Sequence, residues 1–417
     1  MPVKLNHASY AIMLTAAGGV AAGLTFGAGS IHAGTVVAQS KKQVPHVVRK
    51  TGSLALDRAS WLQFIRAVTP SSATGKVVYE TWASDQDIYV ANPCAPGGGT
   101  SGCNTPTWPS PTATSTDKAF QQSALGRSHL GLVGSGQRTP VQVIGPAQGC
   151  GTPPGLTGAA ANSGFPASGC VGEEVRRDRA SFNYIVSNNL WSTKGLVAFY
   201  ATQRTVAFPN GVLQVKADWI PVATLATWLN KPASFVTGSF YTSSATLNGQ
   251  RVLYAMTSMH LSLKAPGYPD WIWANFENAY TPGRCDQTGC SDAFGAVTPT
   301  VAPNAQPWQQ YGSCPHTSTV NVLFRTAKVA PVFGNYCLTG TQTSFGTAAN
   351  PTLLGSSIIE PLNANVPLSI SSCISCHAGA SFNAQGTPGP VGAPTGPHSY
   401  PAGYRGYDFL WGVLFAQ

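Results

Sequence analysis

RVLYAMTSMHLSLKAPGYPDWIWANFE, residues 251–277, decides how the rest of the chain is read. Its two ends are rich in β-branched, aromatic and apolar residues, and PGYPD between them is turn chemistry. Together they predict a β-hairpin. Strand side chains alternate between faces. Tyr254, Met256, Ser258 and His260 are therefore expected on one face, with Leu253, Ala255, Thr257 and Met259 on the other.

The same criteria extend β structure on both sides. VVYETW (77–82), GLVAFYA (195–201), GVLQVKADWIPV (211–222) and SFVTGSFYTSS (234–244) are read as strands. Two segments carry helical spacing instead. SWLQFIRAV (60–68) aligns Trp61, Phe64, Ile65 and Val68, and DRASFNYIVSNNLW (178–191) aligns Phe182, Ile185, Val186 and Leu190. Residues 92–116 and 145–172 are rich in Pro, Gly, Ser and Thr and read as surface loops. No internal repeat is visible. The expected fold is mainly β (α+β): a large antiparallel β-rich domain with a few short helices and stapled loops.

Composition fits an exported protein. Charged residues make up only 9% of the 417, while Gly 45 and Pro 32 are both high, so turns are frequent and surface charge is sparse. The net charge of +9 comes from scattered residues. KKQVPHVVRK (41–50) and EEVRRDR (173–179) are the only basic concentrations, and neither interleaves with aromatics as a nucleic-acid surface does. The charge instead suits docking of an acidic redox partner protein. Lys4 precedes an uncharged run, Tyr10 to Gly29, and small-residue sites follow at 31–33 and 36–38. Residues 1–38 are expected to be a cleaved signal peptide, with an N-terminal anchor as the alternative. No later stretch is apolar enough to span a membrane, so a periplasmic or secreted location is expected.

The ten cysteines divide. Cys94/Cys103, Cys150/Cys170, Cys285/Cys290 and Cys314/Cys337 are neighbours in turn-rich sequence. Short closures cost the least chain entropy, so four local disulfides are expected. The other two lie in SSCISCHAGA (371–380), where C-x-x-C-H is the attachment pattern for a c-type haem. Cys373 and Cys376 would form thioethers to its vinyl groups, and His377 would bind the iron. The competing readings are a thioredoxin-like redox pair, which lacks its βαβ context here, and a zinc ribbon completed by Cys285 and Cys290. The domain organisation expected is 1–38 signal, 39–360 β-rich domain and 361–417 haem-attachment segment packed on it.

In small cytochrome c domains the motif lies near the start and a methionine ligand follows it. Here no Met occurs after Met259, and His398 is the only later histidine. The second iron ligand is therefore sought far back in sequence. His260 on its strand is the first choice, and a hydrogen-bonded core histidine is its bland alternative. Met256 and Met259 read as core packing. His129 and His316 fall in loop-like stretches, and Trp219, Trp271 and Trp273 read as core. Glu277, the one acid in an apolar run, reads as a hydrogen-bonded carboxyl or a proton-handling group.

SWLQF (60–64), YETW (79–82), NYIVSNNLW (183–191), VKADW (215–219), MHLSLKAP with WIWANFEN (259–278), SSCISCHA (371–378) and DFLWG (408–412) resemble segments of exported bacterial cytochrome c family proteins with one haem site near the C-terminus. The resemblance is patchy and implies haem binding and electron transfer without naming a substrate. Where those proteins carry His after the Phe-Glu, this chain has Asn278. Three functions follow: a single-haem electron carrier, a haem-dependent oxidoreductase of peroxidase or oxygenase type with an open distal site, or a secreted binding protein whose C-x-x-C-H is not used.

Overall fold

Eleven strands follow one another along the described chain. They are β1 (Ala83–Ser84), β2 (Gly172–Arg177), β3 (Leu213–Pro221), β4 (Thr242–Leu247), β5 (Gln250–Ala265), β6 (Tyr268–Asn278), β7 (Cys290–Ser291), β8 (Thr300–Val301), β9 (Tyr336–Gln342), β10 (Ser381–Asn383) and β11 (Tyr404–Gly406). The structure is a computed structural model. It describes residues 53–72, 76–110, 172–247, 250–303, 311–346, 352–358, 360, 371–390 and 400–416. The expected signal segment, the Cys150/Cys170 pair, His129 and His398 lie outside these residues.

Seven strands make one antiparallel sheet in the order β1-β2-β3-β5-β6-β9, with β4 paired to the first part of β5. β7 pairs with β8, and β10 with β11, as separate two-stranded sheets. The architecture is therefore α+β around a β core, as the composition leads one to expect. The hairpin at its centre is real, but its turn is only Pro266–Gly267, since Ala265 already faces Tyr268. Pro presets the first turn position, and Gly267 takes a positive φ of 81° at the second, the chemistry of a type II turn.

The sheet has two unlike faces. One is apolar: Val215, Ala217 and Trp219 of β3, Met259 and Leu261 of β5, Ala274 and Phe276 of β6 and Leu338 of β9 are all buried there. Helix α1 (Leu54–Val68) covers it with Trp61, Phe64 and Val68, and the Phe64 and Phe276 rings stack at 4.3 Å. The other face presents Gln214, Lys216 and Asp218 of β3, Ser258 and His260 of β5, and Asn275 and Glu277 of β6. A purely structural sheet between packed layers would be apolar on both sides. This one buries polar groups across the middle of its second face.

The alternation expected along β5 does not hold. Asp218 faces Ser258 but Trp219 faces Met256, so Thr257 is an extra residue and β5 bulges there. The bulge reverses the phase. Tyr254 and Met256 join Met259 and Leu261 on the apolar face, while Ser258 and His260 turn to the polar one.

Three segments read as strands are wholly or partly helical. GLVAFYA lies in a helix, Thr193–Ala201, because Ser192 caps it by accepting from the Gly195 N–H at 3.1 Å, and Leu196 and Phe199 are buried three residues apart. VVYETW forms a 3-10 turn, Val78–Thr81, in which the Glu80 carboxylate accepts from the Val77 N–H at 3.2 Å. SFVTGSFYTSS divides into helix Ala233–Ser239 and strand β4. The two segments read as helices are helical, over Leu54–Val68 and Arg179–Ser187.

Three of the expected disulfides are present: Cys94–Cys103, Cys285–Cys290 and Cys314–Cys337, with Cα atoms 4.9, 5.1 and 6.0 Å apart. The bond between Cys285 and Cys290 removes the zinc-ribbon alternative. Among the described residues, Cys373 and Cys376 are the cysteines outside disulfides.

Candidate functional site

Cys373–His377 is a single short helix standing over the polar face of the sheet. Five residues cannot hold a helix by themselves, so neighbours fix it. Ser372 caps its start, accepting from the Ser375 N–H at 3.4 Å. The Gln342 side chain of β9 accepts from the Ile374 N–H at 2.9 Å and donates to Ser372 Oγ at 3.0 Å. Trp411 donates its indole N–H to the Cys376 carbonyl at 3.3 Å. Helical spacing then sorts the side chains. Ile374 and Ser375 are buried, whereas Cys373, Cys376 and His377, at i, i+3 and i+4, share a half-buried stripe.

His377 is oriented from behind. Its Nδ1 lies 2.7 Å from the Phe409 carbonyl, which can only accept, so the proton sits on Nδ1 and the Nε2 lone pair is left free. Burial pushes its pKa down to about 4, which keeps the ring neutral. The Trp273 ring packs against it at 4.5 Å. The backbone that delivers the carbonyl is strained: Asp408 and Phe409 have φ of 46° and 69°, and Trp271 beside them has 68°. Each non-glycine residue in that region costs roughly 1–2 kcal/mol. Asp408 holds the turn together, accepting from Lys264 Nζ at 2.7 Å, Trp271 Nε1 at 3.1 Å and the Phe208 N–H at 2.7 Å. Asp408→Ala strands the Trp271 and Phe208 donors and leaves Lys264 only the Pro269 carbonyl. It is expected to cost about 3 kcal/mol in denaturant unfolding, with Asp408→Asn costing less because Asn tolerates the same backbone.

The polar face meets this helix. His260 of β5, Glu360 and Cys373 bring a nitrogen, an oxygen and a sulfur within 4.8 Å of one another. His260 Nε2 is 3.4 Å from Asp218 Oδ2 yet makes no hydrogen bond, so it is an orphaned buried nitrogen. Asp218 accepts instead from Ser258 Oγ at 2.9 Å. Burial, then the Lys216 charge and then His377, hold His260 well below its usual pKa, and it is neutral. Burial likewise raises Asp218, against the pull of Lys216. With His260 neutral, their contact is not an ion pair. Lys216 stands opposite His260 in the β3–β5 register. Burial works against its charge, but Glu173, Asp218 and Glu360 outweigh it and hold the ammonium charged. Burial also lifts Glu360 to about 7 and the Cys376 thiol to about 11.

Glu277 sits deeper on the same face. It accepts from the Ser357 N–H at 2.7 Å, Ser357 Oγ at 3.0 Å and Asn275 Nδ2 at 3.2 Å. Burial nevertheless raises it from 4.5 to about 7. The folded chain therefore keeps a proton that the unfolded chain releases, and this contribution to stability is present below pH 4.5 and is lost as pH rises to about 7. Glu277→Gln carries no such proton. Its stability relative to wild type is expected to rise by up to about 3 kcal/mol between pH 4.5 and 8 in urea unfolding. A constant difference across that range would show that Glu277 ionises normally.

The remaining candidates are structural. Met256 and Met259 lie in the apolar core. His316 bonds the Tyr336 carbonyl at 3.0 Å and packs edge-on against Trp61, so it is no surface loop residue. Asn278 donates to the Ser239 carbonyl at 2.9 Å and accepts from the Tyr280 N–H at 3.0 Å, shaping the end of β6. Lys216, Asp218, Glu360 and the Phe409 carbonyl belong to the site although the sequence did not single them out. LQVKADWIP carried the signal for two of them: charges at alternate positions of an otherwise apolar strand have no route to water. Against family models, curated proteins and solved structures, the chain shows no match.

Proposed function

We propose that this is an exported c-type haem protein that transfers electrons through one covalently bound haem, Cys373 and Cys376 providing the thioethers and His377 and His260 the iron ligands. The observation that carries this reading is the stripe Cys373–Cys376–His377, with neither cysteine in a disulfide and His377 fixed through Nδ1 so that Nε2 keeps its lone pair. A hydrogen bond on the far nitrogen is how a metal-binding histidine is held in one tautomer. His260 fits the second ligand because it is buried, neutral and unpartnered at Nε2. The haem, when bound, supplies a one-electron iron couple. This chain's part is to hold it, exclude water with Trp273, Phe409 and Trp411, and keep the polar sheet face beside it. The three disulfides fit an oxidising compartment. Among the described residues no helix is long and apolar enough to cross a membrane. A charge of +9 suits an acidic redox partner.

Visible spectra of the purified protein in both redox states, with and without carbon monoxide, test the assignment. A low-spin spectrum unaffected by carbon monoxide supports the carrier. A high-spin, ligand-binding spectrum favours a haem oxidoreductase with His260, Lys216 and Glu360 as its polar surroundings.

One observation favours a second reading. The N, O and S donors of His260, Glu360 and Cys373 converge closely enough to hold a transition metal ion such as Zn²⁺. Cys373 cannot serve as both thiolate ligand and thioether, so stoichiometric zinc in a colourless wild-type protein selects that reading.

A further inference from the structure

Away from the haem-attachment helix, a cavity of about 160 Å³ opens between the two C-terminal disulfides. Arg284, Thr298, Tyr311 and Ser313 line it, together with Cys290, Cys314 and Cys337. Arg284 is 5% exposed, and its compensation is partial: its guanidinium carbon lies 5.8 Å from the Tyr311 ring centre, and Glu277 attracts it from beyond contact distance. Nη1 lies 3.5 and 3.9 Å from the Cys285 and Cys290 sulfurs, and Nη2 lies 3.5 Å from the Gly312 carbonyl. Nε has no partner at all. No carboxylate among the described residues comes within ion-pair distance of it. The nearby acids are engaged elsewhere: Glu277 by Ser357 and Asn275, Asp286 by Tyr311, and Asp292 by Trp61 and the N–H groups of Phe294 and Gly295.

A guanidinium taken out of water without a carboxylate in contact costs several kcal/mol, and one ring and a more distant carboxyl offset only part of that. The open side of this one is a cavity. We infer that the Arg284 cavity binds a small planar monoanion, a carboxylate or nitrate, through the guanidinium fork. Two oxygens in one plane match that fork, and Thr298 and Ser313 add hydroxyl donors on the wall. Asp292, also on the wall, disfavours a dianion. The disulfides Cys285–Cys290 and Cys314–Cys337 fix the walls before any ligand arrives, which lowers the ordering cost of binding.

Calorimetric titration of the intact protein with acetate, nitrate, sulfate and chloride at constant ionic strength tests this. Acetate or nitrate is expected to bind one per chain, with chloride and sulfate at least about tenfold weaker. Arg284→Lys keeps the charge and loses the fork, so acetate and nitrate should weaken by roughly tenfold or more. Thr298→Trp, at the exposed mouth, leaves Arg284 in place and should exclude the anion by filling the cavity. Absence of saturable binding, equal affinity for chloride, or unchanged affinity in Thr298→Trp overturns the inference.

Discussion

Cys373→Ser combined with Cys376→Ser is expected to yield a folded but colourless protein from a host competent in cytochrome maturation. The two sulfurs are half-buried on one stripe of a helix whose position depends on Gln342, Trp411 and Ser372, none of which the substitutions touch. Serine is close in size to cysteine and tolerates the same backbone, so the fold should be nearly unchanged. The proposed haem, by contrast, would lose both covalent bonds. The His377→Ala variant makes the complementary case: it keeps the thioethers and loses the ligand, so covalent haem should remain with altered spin state. Haem absorbance in the double variant that survives denaturation would place the attachment elsewhere.

His260→Ala separates carrier from enzyme. His260 is buried beside Asp218 and Lys216 and is kept neutral there, a state in which imidazole binds metal. With His260 on the iron, the wild-type oxidised spectrum is low-spin and bis-histidine, and carbon monoxide binds slowly or not at all. Removing the imidazole should convert it to high-spin and speed carbon monoxide binding by orders of magnitude, while the haem stays attached. An unchanged spectrum means that His260 is a core histidine. Met256→Ala is the matched control, since that side chain lies on the opposite face of the sheet, in the apolar core.

Much of the core was legible in the sequence. Residues 251–277 announce the central hairpin through β-branched and aromatic composition around turn chemistry, and SWLQFIRAV announces the helix that packs on it through one clean helical periodicity. The failures have local causes. GLVAFYA has a strand's composition, but Ser192 caps it and Leu196 and Phe199 give it a helical face, which only the packing against the C-terminal segment reveals. The bulge at Thr257 lacks glycine or proline to mark it, yet it determines which side of the sheet His260 occupies. C-x-x-C-H was visible as a motif, whereas its setting was not. The Phe409 carbonyl reaches His377 across 32 residues of sequence, and backbone groups leave no trace in residue identity. Lys216 and Asp218 were visible as charges in an apolar strand. That they face the Cys373–His377 helix depends on strand pairing.

The most direct measurement is the intact mass of wild-type protein, denatured and fully reduced, from a host competent in cytochrome maturation. Covalent attachment predicts the mass of the chain plus one haem, with the added mass mapping to a peptide containing Cys373, Cys376 and His377. A mass equal to the unmodified chain, with both thiols free to alkylate, would contradict it.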